Sequence, residues 1–110
     1  MGMELEAQDL PLHGPNRWPQ HSDAAAFQQH ISVYYAQLLG FARTLLRAFC
    51  CALGLPAEFM DTNTWSPLAH LRLWHYSKAD ADGALPEHTD HGFLTLLLQD
   101  GGGGLQARYQ

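Results

Sequence analysis

A chain of 110 residues with 46% hydrophobic and 15% charged residues has material for one small domain with a single core, and a polar disordered tract is a poor reading of it. The net charge of −5 argues against a nucleic-acid partner, and no basic run or basic amphipathic helix suggests an anionic membrane surface.

The acidic start Met1-Gly2-Met3-Glu4-Leu5-Glu6 has no apolar segment of the signal-peptide kind. No uninterrupted apolar run approaches the roughly 20 residues of a membrane span. Residues 1–21 read as a polar lead-in, with Gly14-Pro15-Asn16 and Trp18-Pro19 as turns. Residues 22–53 carry the strongest pattern. Ser22 or Asp23 can cap a first turn. Phe27, Ile31, Tyr34/Tyr35, Leu38, Ala42, Leu45, Phe49 and Leu53 then recur at steps of three or four, the apolar packing face of a long amphipathic helix. Arg43 and Arg47 lie on its more polar side, and Gly54 with Pro56 marks the stop. Cys50 and Cys51 are adjacent, so on a helix they point apart, which disfavours a disulfide between them. Nothing resembles a secreted disulfide framework, and a reducing cytoplasm is expected. A short second helix is expected within 56–64, around Glu58-Phe59-Met60.

Residues 65–110 change character. Leu71 to Tyr76 reads as a strand, Ala79 to Gly83 as a turn, and Phe93 to Gln99 as a second strand buried on both faces for part of its length. Gly101 to Gly104 is a flexible turn, and Leu105 to Tyr109 begins a further strand. The chain therefore divides into a helical lead-in segment, 1–64, and a strand-rich part, 65–110.

His88-Thr89-Asp90 stands between the first two strands. Side chains two apart on a strand share a face, so an imidazole and a carboxylate can reach one metal ion together. Two histidines and one carboxylate, with open positions left over, are how proteins hold Fe(II) for oxygen chemistry. His88 and Asp90 would supply two of those three ligands. His13, His21, His30 and His70 read as surface or packing residues, and His75 and His91 are left outside the metal pair. A zinc module built from His75, His88, Asp90 and His91 fits no common structural zinc spacing.

The runs LRLWHYS, HTDHGFLTLLLQD and GLQ, behind HGPNRWP, YYAQLL and LLRAFCCALGLP, resemble the isopenicillin N synthase-like branch of the iron(II)/2-oxoglutarate-dependent dioxygenases from Leu10 onward. The resemblance implies an α+β chain, a long helix packed on part of a double-stranded β-helix (jelly-roll) barrel that is incomplete here. It implies that His88 and Asp90 ligate Fe(II) and that Tyr76 hydrogen-bonds the 2-oxoglutarate cosubstrate, with ascorbate as an optional reductant. Ser77 and Trp74 depart from the proline and asparagine that many members carry around this tyrosine. The family's second histidine ligand, and the arginine that binds the far carboxylate of 2-oxoglutarate, lie several strands further on, beyond Gln110.

The expected function is that of a central fragment of a non-haem iron oxidoreductase. Such an enzyme couples 2-oxoglutarate decarboxylation to oxidation of a small organic substrate by dioxygen. The alternative is a non-catalytic remnant or partner-completed binding protein of the same fold. With apolar strand edges left open, the isolated chain is expected to self-associate.

Overall fold

The computed structural model describes residues 14–61, 68–76 and 85–108. One helix dominates them: α1, Ala24–Ala52, 29 residues and about 44 Å long. It begins at Asp23, one of the two residues expected to cap it, but no side chain caps it. Asp23 already has a near-helical backbone (φ −98°, ψ 8°), and a cap with its side chain folded back needs an extended one. A turn does that work instead: the Ala24 N–H donates to the His21 carbonyl at 3.1 Å. The Ser22 hydroxyl is spent on the Asp23 carboxylate at 3.4 Å.

The C-terminus closes as the sequence implies. Gly54 takes φ +73°, a left-handed conformation that glycine adopts without penalty. Its N–H reaches the Cys51 carbonyl at 3.0 Å, and the Leu55 N–H reaches Cys50 at 2.9 Å, the paired bonds of a Schellman motif. Pro56 then leads into a 3₁₀ turn, Ala57–Met60, which packs back on α1. Arg47 on the helix meets Glu58 on the turn at 2.6 Å. The short helix expected within 56–64 is therefore this one turn, and residues 62–64 lie outside the described residues.

Of the apolar stripe of α1 only Tyr35 is buried. Tyr35 and Cys50 are the only buried residues among those described, whereas Phe27, Phe49 and Leu53 are exposed. Cys50 and its neighbour Cys51 face different surroundings, one buried and one exposed, both as free thiols. Tyr35 also ties the helix to the second part of the chain: its hydroxyl donates to the Ala69 carbonyl at 2.9 Å. At the other end of α1, Trp18 meets Phe27 edge to face, with centroids 6.3 Å apart.

The strands expected at 71–76, 93–99 and 105–109 are not formed among the described residues, where only an isolated bridge at His70 has strand character. A strand exists through its hydrogen-bond ladder, and a pleated sequence without a paired neighbour has none. Nor is 93–99 buried: Phe93, Leu97 and Leu98 are 74%, 67% and 87% exposed. Side chains make the local bonds instead. Gln99 Oε1 accepts from the Leu105 N–H at 3.1 Å, and Asp100 Oδ1 from the Gly102 N–H at 2.9 Å. These bonds fold the glycine turn, whose Gly103 and Gly104 have φ of +69° and +108°. The turn expected at 79–83 and the last position of the third strand, Tyr109, lie outside the described residues. No helix among the described residues is long and apolar enough to cross a membrane.

Candidate metal centre

His88 and Asp90 are brought together. His88 Nε2 lies 3.4 Å from Asp90 Oδ1, with both side chains about half exposed. The other ring nitrogen, Nδ1, lies 2.8 Å from the Pro86 carbonyl. A carbonyl only accepts, so this bond puts a proton on Nδ1 and leaves Nε2 facing Asp90. Two donors about 2.1 Å from one ion and at right angles sit about 3 Å apart, so the pair is spaced nearly as two ligands of one ion. A ligating histidine typically donates its second N–H to a carbonyl or carboxylate, which fixes the ring and its tautomer. The Pro86 carbonyl is placed where such a partner would be. A backbone group leaves no mark in a residue pattern, and sequence reasoning did not find it. The signal that could have pointed to it is Pro86 itself, whose ring fixes φ two residues ahead of the histidine.

Tyr76 is not joined to this pair. Its ring stacks on Trp74, with centroids 6.2 Å apart and planes 17° from parallel. It is half exposed, and its hydroxyl makes no hydrogen bond with His88 or Asp90. His75 and His91 do not join the pair either, since no group of three His, Cys, Asp or Glu converges among the described residues. The zinc arrangement from His75, His88, Asp90 and His91 is therefore not assembled. A groove of about 300 Å³ lies elsewhere, between the lead-in, α1 and the 71–73 segment. Its walls include Trp18, Phe27, Ile31 and Leu73. Arg17 is its one ionisable group, so we read it as the seam where the lead-in packs on the helix, not as a reaction site.

Comparison with curated proteins bears on what such a pair does. A 2-oxoglutarate-dependent dioxygenase, gloF, of Glarea lozoyensis is 36% identical over 101 residues, covering 87% of this chain and 31% of that protein. A 2-oxoglutarate-Fe(II) type oxidoreductase of Aspergillus fumigatus is 38% identical over 99 residues, covering 84% of this chain and 29% of that protein. The 2-oxoglutarate-dependent dioxygenase htyE of Aspergillus rugulosus is 37% identical over 101 residues, covering 87% and 31%. The chain belongs to the 2-oxoglutarate-dependent dioxygenase family. It spans about three-tenths of the length of these dioxygenases. No protein-family model matches it, and no solved structure does so significantly.

Proposed function

We propose that this chain supplies two Fe(II) ligands, His88 and Asp90, to an oxidoreductase that couples 2-oxoglutarate decarboxylation to oxidation of a small organic molecule by dioxygen. The observation that carries the reading is the locked imidazole: Nδ1 held by the Pro86 carbonyl and Nε2 turned toward Asp90 at 3.4 Å. The names of the relatives support Fe(II) and 2-oxoglutarate as metal and cosubstrate.

Each residue has a defined task in this reading. His88 offers a neutral donor already aimed, which removes part of the ordering cost of binding. Asp90 offers a charged donor that offsets the charge of the cation. Tyr76 presents a hydroxyl that can donate to a carboxylate of the oxoacid. Bound Fe(II) with open positions supplies the site at which dioxygen is reduced, while the protein orients substrates and excludes side reactions. The jelly roll belongs to the same proposal: segments 71–76, 93–99 and 105–108 have strand composition and would pair once neighbouring strands are supplied.

The test is succinate formed from 2-oxoglutarate by the pure chain with Fe(II) and ascorbate. Two ligands bind Fe(II) weakly and nothing described here grips the far carboxylate, so residues 1–110 alone are expected to turn over little or not at all. Turnover that appears on adding a separate C-terminal segment, and is lost in His88→Ala, would support the reading. Robust turnover by the chain alone would contradict it. Silence under every complementation would favour the second reading, a non-catalytic or partner-completed protein of the same family.

A further inference from the structure

Glu87 immediately precedes His88, and its carboxylate is paired across a long stretch of chain. Arg108 Nη1 lies 3.1 Å from Glu87 Oε2. Between them runs the glycine turn, closed by Gln99 on Leu105 and by Asp100 on Gly102. The turn sends the chain back, and its returning arm is fastened beside the metal pair.

We propose that Arg108 is a positioning residue for His88 and Asp90. Through Glu87 it holds residues 86–90 in the arrangement in which Nδ1 meets the Pro86 carbonyl and Nε2 faces Asp90. The inference rests on the metal reading above, and it goes beyond it by adding a residue distant in sequence that touches neither ligand. Both partners are well exposed, with side chains 74% and 65% accessible. The latch is therefore modest, and an exposed ion pair shifts an equilibrium by about 1.4-fold to fivefold.

The sign of the effect separates positioning from simple electrostatics. Arg108 is a cation near a cation site, so by charge alone its removal tightens metal binding. As a positioning residue, its removal loosens it. Glu87→Gln weakens binding on either account and does not discriminate.

The experiment measures Mn(II) affinity, by the spin-resonance signal of free Mn(II), for the wild type, Arg108→Gln and the exchanged pair Glu87→Arg/Arg108→Glu. In the metal-free proteins, ring ¹⁵N shifts read the tautomer of His88. Arg108→Gln is expected to bind Mn(II) about 1.4- to fivefold more weakly and to lose part of the Nδ1-protonated tautomer. The exchanged pair is expected to restore both. Unchanged or tighter binding with an unchanged tautomer overturns the inference. If the wild type takes up no Mn(II) yet the tautomer responds to Arg108→Gln and to the exchange, the metal reading fails and the positioning link stands. If the tautomer does not respond, the link fails whatever the metal does.

Discussion

At the scale of single residues, the informative atoms are the two nitrogens of His88. One is committed to the Pro86 carbonyl and the other to the space before Asp90. Asp90→Asn keeps the shape and removes the charge, so it isolates the electrostatic part of cation binding. We expect it to weaken Mn(II) affinity by more than about tenfold, the lower bound for losing a residue that merely orients a ligand. Calorimetric titration measures this, and an affinity equal to that of the wild type would remove Asp90 from the site. The pairing of His88 with Asp90 was legible in the sequence because residues two apart in an extended segment share a face. The Pro86 bond was not, since it depends on one carbonyl's direction. The Glu87–Arg108 pair was not legible either, since it depends on how the glycine turn returns the chain. Tyr76 was named by resemblance alone, and its stacking on Trp74 leaves that role as a proposal.

At the scale of elements, α1 and the turn after it follow from local chemistry. The stop was legible because Gly54 can take φ +73° and Pro56 cannot continue a helix. The start was legible in position but not in mechanism, because the backbone at Asp23 decides whether its side chain can reach back. The Arg47–Glu58 link between α1 and the 3₁₀ turn is sensitive to pH. Glu58 is held below the usual carboxylate value of 4.5, first by a hydrogen bond from its own backbone and then by Arg47. Arg47 is raised, chiefly by its hydrogen bond with Glu58, and so stays charged throughout. A depressed carboxylate contributes stability above its ordinary value and loses it as pH falls through the depressed one. Docking of the turn should therefore weaken below about pH 4.5, with amide shifts of residues 55–61 moving in step. Glu58→Gln should flatten that response, and an unchanged response in the variant would assign it to another group. The strands failed for the opposite reason: alternation announces a strand, but the ladder that makes one lies between segments.

At the scale of the whole molecule, the described residues do not close a core. Tyr35 and Cys50 are buried, while Phe93, Leu97, Leu98 and Leu105 face outward. Apolar segments with unpaired backbone recruit other chains, so the isolated chain should form concentration-dependent oligomers by sedimentation velocity. A monodisperse monomer at high concentration would contradict this. The chain covers about three-tenths of dioxygenases to which it is 36–38% identical, and the proposed iron site needs a third ligand from outside the pair. The central claim is that His88 and Asp90 together hold a divalent metal, and paramagnetic broadening by Mn(II) tests it most directly. We expect the amides of residues 86–92 to broaden first, and the effect to vanish in His88→Ala and in Asp90→Asn. Broadening that spreads evenly over the acidic surface, or that persists in both variants, would contradict the account.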